Sequence, residues 1–467
     1  MFLQQLQSAF QHNFTEDQEI LAKKLSNFLF HSPEQNLFII NGYAGTGKTG
    51  MMSALVKTLP IYGIKSVLLA PTGRAAKVLS KYSEKAASTI HKHIYYSSVD
   101  ANGNFNLKLK PNKANNTIYI VDEASMIDNQ TALFNERNLL NDLVYYCLNG
   151  RGNKIIMIGD SAQLPPIGSK NSPALDKDCI ESVFNFSVGY HHLTQVVRQA
   201  LQSGILKNAS NIRWALANKR IRLPIFKTKE LFDIKIVEAF ELEETLQDAY
   251  RQNGTNEVLI ITRTNKLANQ INQYVRSRIL DKENRIDIGE TIMSIKNNYY
   301  WTEKSALTDF IANGDMLKIT RIFGYEERYG LQFADVAVQF VDYPEESELE
   351  VCVILDTLFE NTASLSSNKH QKLYDGLLEH YSQISNDKSV IKQSIKQDKY
   401  YNALQIKFSN ALTCHKAQGG DWKTVFIQQG FFSDEMLNEE YFRWLYTAVT
   451  RAKQQLYLVN FSEDFFL

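Results

Sequence analysis

Eight consecutive residues, Gly42-Tyr43-Ala44-Gly45-Thr46-Gly47-Lys48-Thr49, carry the groups that phosphate binding needs, in a usable order. The glycines let backbone N–H groups of the loop close on phosphate oxygens. Lys48 brings a positive charge to the β and γ groups, and the Thr49 hydroxyl is a ligand for Mg²⁺. An apolar run, Leu37 to Ile40, comes just before, and the helical pattern from Gly50 to Leu59 just after. A phosphate loop requires this strand–loop–helix setting. At average residue frequencies such a match arises by chance about once in a hundred chains of this length. Gly42, Ala44, Gly45, Thr46, Gly47, Lys48 and Thr49 are therefore the expected nucleotide contacts.

Two further motifs supply the chemistry of hydrolysis. The apolar stretch Ile118 to Val121 ends in Asp122 and Glu123, which places adjacent carboxylates at the carboxyl edge of a sheet. Asp122 is suited to hold the metal, directly or through water, and Glu123 to accept a proton from attacking water. Downstream, "IMIGDSAQLPPIGSK" sets Gln163 before the stiff pair Pro165-Pro166. A glutamine there is suited to bond the γ-phosphate or its attacking water and to pass the change into a rigid segment.

The elements that must position these groups follow from hydropathy. Short apolar runs alternate with helical segments from residue 36 to about 195, which predicts a parallel sheet covered by helices. The rhythm returns in "NEVLIIT", "KTVFIQ" and "QLYLVN", with helices expected over 265–280 and 439–453, and predicts a second α/β domain. Between about 290 and 400 the pattern turns β-rich and then polar-helical, the signature of a small inserted β module. Asn102-Gly103, flanked by Tyr95, Tyr96, Val99, Phe105, Leu107 and Leu109, is a two-residue hairpin signal. Near the start, Thr15 and Gln18 are spaced as a capping box.

Lysine plus arginine equals aspartate plus glutamate at 51 each, so no net basic field draws the molecule onto nucleic acid, and phosphate binding must come from local grooves. Four widely spaced cysteines fit neither a zinc pattern nor a disulfide framework, and a reducing cytoplasm is expected. No apolar run of membrane-spanning length and no export signal is apparent.

With "GYAGTGKT", "LLAPTGRAAK", "TIH", "IVDEASMID", "GDSAQLPP", "LTQVVRQ", "LTCHKAQGGDW" and "YTAVTRAK" in this order, the chain resembles superfamily 1 helicases of the RecD-like and Dda-like branch over almost its whole length. The resemblance implies two RecA-like motor domains, with ATP in the cleft between them and single-stranded DNA crossing their tops. The first motor domain is expected over 1–200, with a wedge hairpin at about 93–112. The second is expected over 201–289 and 402–467, interrupted by an SH3-like module over 290–401. Arg198 and Arg451 align with the family's arginine fingers. Gln418 and Gly419 are implied near the nucleotide, and Asp421 stands where relatives commonly have a longer glutamate that reaches the ribose. Thr72, Arg74, Thr89, His91, Thr413 and His415 match DNA-contacting positions, and Phe105 is the candidate wedge aromatic. The resemblance also offers Gln18 to adenine, a role that competes with the capping box; the adenine contact is the favoured reading, with Thr15 left to cap alone.

The expected function is an ATP- and Mg²⁺-dependent DNA helicase moving 5′ to 3′ on single strands and acting at single-strand/duplex junctions, active as a monomer and independent of membranes. The alternatives are an RNA helicase or remodeler of the same superfamily, and an ATP-regulated DNA-binding subunit that needs a partner. Direction is inherited from the resemblance.

Overall fold

The computed structural model describes residues 1–99, 105–130, 138–197, 203–302 and 310–466. Two compact units emerge: Met1–Ile94 with Leu109–Val237 and Ala417–Leu467, and Tyr95–Lys108 with Glu238–Lys416.

A six-stranded parallel sheet organises the first unit. Its order is Ala87–Thr89, Lys65–Ala70, Thr117–Val121, Lys154–Gly159, Leu37–Gly42 and Val188–Leu193. The strands at its centre are apolar through most of their length, as strands covered on both faces are. Phe38, Ile40, Ile118, Ile120, Ile156 and Ile158 pack there with Met51, Met52 and Leu55 of the helix Lys48–Thr58. Gly42 closes one central strand, while Asp122 and Asp160 directly follow two others. All three therefore sit at the carboxyl edge, where open α/β sheets bind ligands.

The C-terminal part of this unit adds three parallel strands in the order Trp422–Gln428, Ala452–Val459 and Ile234–Val237. Helices Gly204–Ala217 and Glu439–Val449 pack on one another beside them. Sequence spacing carried the last helix to residue 453. It ends at Val449, and Lys453 belongs to the following strand, whose buried Leu456, Leu458 and Val459 commit the chain to the sheet.

The second unit holds a closed five-stranded barrel: Thr291–Ser294, Met316–Arg328, Leu331–Phe340, Leu349–Ile354 and Leu404–Phe408. Ile292, Leu317, Val336, Val338, Val353, Ile406 and Phe408 fill its interior. Register shifts at Ile319/Arg321 and Ile322/Gly324 bend the long hairpin, as bulges do where a sheet must curl. Helices Ser367–Ser382 and Lys388–Gln397 cover one outer face through Leu373, Leu377, Ile391 and Ile395. Elsewhere in this unit Val258–Thr262 pairs in parallel with Ala411–Thr413, and Tyr95–Val99 pairs with Phe105–Leu109. The Asn102-Gly103 turn lies outside the described residues. Among the described residues no helix is long and apolar enough to cross a membrane.

Candidate nucleotide site

Residues 42–49 form the expected turn between strand and helix. Gly47 has φ +82°, and a Cβ there would fall 2.4 Å from Gln18 Nε2, so both backbone and space demand glycine. The Thr46 hydroxyl donates to the Tyr43 carbonyl at 2.8 Å, and Lys48 Nζ donates to the same carbonyl at 2.9 Å and to that of Gly42. The ammonium is thus held at the mouth of the loop by backbone oxygens.

Gln18 is fully buried, and its amide is used at both ends. Oε1 accepts from the Thr15 N–H at 3.0 Å, while the Gln18 N–H donates to Thr15 Oγ1 at 3.3 Å. The reciprocal capping box is therefore present, which corrects the expectation that Thr15 caps alone: the two side chains satisfy two helix-start donors at once. Nε2 donates to the Thr46 carbonyl at 3.0 Å, so the same glutamine also props the phosphate loop. Its neighbour Asp17 accepts from the Thr194 N–H and hydroxyl and from the Gln195 N–H at 2.8–2.9 Å. Burial raises the Asp17 pKa, but these donors prevail and hold it below the usual carboxylate value. Val197 N–H then donates to the Gly45 carbonyl at 2.9 Å, tying this segment to the loop. Arg198, the next residue, lies outside the described residues.

The acid pair stands beside the loop. Burial, and then the Glu123 charge, push Asp122 up to about 7, against the Glu123 N–H and Lys48, which pull it down. Glu123 takes φ 50°, a left-handed conformation uncommon for a residue with a side chain, and its N–H donates to Asp122 Oδ1 at 2.9 Å. Arg451 is buried with Nη1 3.9 Å from Glu123 Oε1. Its Nε donates to the Thr447 carbonyl and its Nη1 to the Gly420 carbonyl, both at 3.1 Å. A guanidinium pinned on that side presents a fixed charge to the acid pair.

Sequence reading missed the closure over Gln163. Tyr446 of the helix Glu439–Val449 donates to Asp160 Oδ2 at 2.7 Å and accepts from the Ala44 N–H at 2.9 Å, joining the phosphate loop to the start of the Gln163 segment. Burial and the Asp160 charge raise the Tyr446 pKa well above its ordinary value, so the hydroxyl remains a donor. Thr447 Oγ1 accepts from the Leu164 N–H at 2.9 Å, Gln418 Nε2 donates to the Leu164 carbonyl at 2.7 Å, and Arg443 donates to the carbonyls of Ser161 and Gln163. Gln163 itself is buried, and among the described residues its Oε1 has no hydrogen-bond partner. Such an amide oxygen is costly to leave unpaired and suits a donor such as water. The signal available in the sequence is "YTAVTRAK", whose Tyr446 and Thr447 shortly precede Arg451. Tyr446→Phe is expected to lower stability by about 1.5–3 kcal/mol, the worth of a hydrogen bond to a buried charge. Urea unfolding checks this, and an unchanged midpoint would show that the hydroxyl ties nothing.

Of the expected DNA contacts, Thr72 Oγ1 accepts from the Ala75 N–H and Thr89 Oγ1 from the Lys92 N–H, so both hydroxyls start helices. Burial drives the His91 imidazole down to about 4, leaving it neutral near pH 7 and without charge for a phosphate. Arg74 Nη2 donates to the Asp421 carbonyl at 2.9 Å and its guanidinium stacks 4.3 Å from the Trp422 ring centre. The Asp421 carboxylate pairs with Lys453 at 2.6 Å, a partner that competes with any ribose hydroxyl. Gly419, at φ +72°, packs so close to this region that a Cβ would meet Ala75 at 2.9 Å. Thr413 and His415 belong to the second unit. The Phe105 side chain lies outside the described residues.

A parallel sheet with a phosphate loop, an acid pair and a buried arginine at its carboxyl edge defines a P-loop nucleotide hydrolase of the RecA-like motor class. The AAA domain family matches residues 16–221, and the UvrD-like helicase C-terminal domain matches residues 408–459. With these two domains in this order, the chain is similar to superfamily 1 helicases of the Dda/RecD-like branch. It is 29% identical over 265 residues to the ATP-dependent DNA helicase dda of Enterobacteria phage T4, covering 54% of this chain and 55% of that one. It is 28% identical over 192 residues to the ATP-dependent RecD2 DNA helicase of Deinococcus radiodurans, covering 41% and 24%. An uncharacterized protein of Acanthamoeba polyphaga mimivirus, R530, is 24% identical over 513 residues, covering 95% and 99%. Among solved structures, Pif1 helicase from Bacteroides with ADP-AlF3 and single-stranded DNA covers 98% of this chain and 95% of that one, at 15% identity and a TM-score of 0.46.

Proposed function

We infer that this chain is an ATP-driven DNA helicase that moves 5′ to 3′ along single strands and separates duplex at junctions. The observation that carries the motor reading is the buried bridge from Ala44 through Tyr446 to Asp160. It makes the position of the C-terminal helix depend on the phosphate loop and the Gln163 segment, as conversion of hydrolysis into movement requires. DNA as the track rests on the Dda and RecD2 relatives, of which this chain spans 55% and 24%, and direction rests on the motif resemblance alone.

In this reading Lys48 and the loop N–H groups hold the β- and γ-phosphates, Glu123 takes the proton of the attacking water, Gln163 orients that water, and Arg451 stabilises charge on the γ-phosphoryl oxygens. Thr49 and Asp122 would hold Mg²⁺, which when bound neutralises phosphate charge. The fit is chemical: adjacent, mutually repelling acids are what a divalent cation relieves, and one carboxylate plus nucleotide oxygens is a usual Mg²⁺ set. The barrel over 291–408 serves as the strand-covering module and the hairpin as the wedge. Thr413 and His415 provide strand contacts from the second unit, and the active form is a monomer.

Gln18 gives up part of its present bonding to read adenine. Gln18→Ala is then expected to raise KM for ATP more than for GTP, whereas equal rises would leave it with capping and loop support alone. The reading as a whole is tested by strand displacement on duplexes with a 5′ or a 3′ single-stranded tail, in DNA and RNA. Unwinding of DNA from the 5′ tail is expected. Unwinding from the 3′ tail alone would overturn the direction, and RNA alone the track.

A further inference from the structure

Between residues 204 and 230 the chain carries seven lysines and arginines against one glutamate, although its formal net charge is zero. Like charges gathered in one short run repel one another, and they need a reason to stay together. The helix Gly204–Ala217 and the segment after it fold part of this run around a cavity of about 630 Å³. Arg220, Arg222 and Lys227 line it, and among the described residues that line it none is acidic. Trp214 contributes an indole that is 52% exposed, with the Arg220 guanidinium 5.1 Å from the ring centre, and Ile225 adds apolar surface.

This combination selects a ligand class. Three cations without a carboxylate reject metal ions and favour anions. An exposed indole among them offers a flat face on which a nucleobase stacks while neighbouring cations hold phosphates. An acidic polypeptide would use the charges but leave the indole face unused. We propose that this cavity binds single-stranded polynucleotide, with a base on Trp214 and backbone phosphates on Arg220 and Arg222, at a site separate from the nucleotide site. That the polymer is DNA rests on the helicase reading; the cation and indole chemistry does not. The cavity also touches the motor: Phe442, which lines it, lies in the helix Glu439–Val449, one turn before Tyr446. An occupied cavity therefore bears on the helix that closes over the Gln163 segment.

The test uses the full chain, labelled oligo(dT), and anisotropy titrations over a range of salt. Arg220→Gln/Arg222→Gln is expected to weaken binding about tenfold and to flatten log affinity against log salt by roughly 1.4, two contacts at about 0.7 each for a single strand. Trp214→Ala is expected to weaken binding by about fivefold or more, the loss of one stacked base. ATP turnover in the absence of oligo(dT) stays unchanged in both variants, since the cavity is separate from the nucleotide site. An unaltered affinity and salt slope in the folded double variant would overturn the proposal. So would polyglutamate that displaces oligo(dT) and loses affinity in the arginine variant but not in Trp214→Ala, since that marks a protein partner. Weakened oligo(dT) binding in the variants, alongside an unaltered chain whose ATPase oligo(dT) does not stimulate, would sustain the cavity and remove the helicase reading.

Discussion

Glu123→Gln is expected to bind ATP normally and to hydrolyse it roughly 100- to 10,000-fold more slowly, the usual worth of a positioned general base. The amide keeps the size of the carboxylate but cannot accept the proton of attacking water. The neighbouring acid makes the result interpretable. Glu123 is one of the two causes that push Asp122 up to about 7. Removing its charge therefore leaves Asp122 more ionised at neutral pH, and a better cation ligand than before. A fall in turnover cannot then be assigned to poorer metal binding. Single-turnover hydrolysis, paired with titration of a fluorescent ATP analogue, separates chemistry from binding. Normal turnover would remove Glu123 as the base, and lost binding with intact chemistry would reassign it to the metal.

Arg451→Ala is expected to cost on the order of a thousandfold in DNA-stimulated turnover, the range seen when a guanidinium facing the γ-phosphoryl group is removed. The structure explains why lysine should not restore it. Two guanidinium nitrogens are tied to the Thr447 and Gly420 carbonyls, and Nη1 faces Glu123 at 3.9 Å. A single ammonium cannot make these bonds and keep that direction at once. Arg451→Lys should therefore recover less than a tenth of the activity, with KM for ATP little changed, because the charge acts on the developing transition state more than on bound substrate. If Arg451→Lys turns over like the unaltered chain, the charge matters only as part of the local field. If KM rises with kcat intact, Arg451 belongs to ground-state binding. The loss should be similar at low and high salt, since the group is buried and screening reaches it weakly.

Much of the site was legible because its signals are local. Residues 42–49 carry their own strand, turn and helix start, and the acids of 122–123 follow directly from the end of an apolar strand. Thr15 and Gln18 are three residues apart, so their mutual capping needs only one helical turn. The second roles of the same residues were not legible. Gln18 also bonds the Thr46 carbonyl, 28 positions away, and Thr72 and Thr89 are engaged in starting helices. Neither follows from residue type, because a short polar side chain serves a cap and a ligand equally well.

The phosphate-loop turn, the parallel α/β plan and the order of motifs can be read from the chain alone, since each depends on hydropathy period and on neighbours within a turn or two. Which groups far apart in the chain share a hydrogen bond follows from folding in three dimensions. Tyr446 meets Ala44 and Asp160 across separations of 402 and 286 residues, and Gln418 meets Leu164 across 254. Contacts at such distances exist only once whole sheets have packed and their polar groups, shut away from water, must find partners. The cavity around Trp214 has the same origin. Its charges are plain in the sequence, but their convergence on one exposed ring depends on how the helix and its trailing segment fold back together.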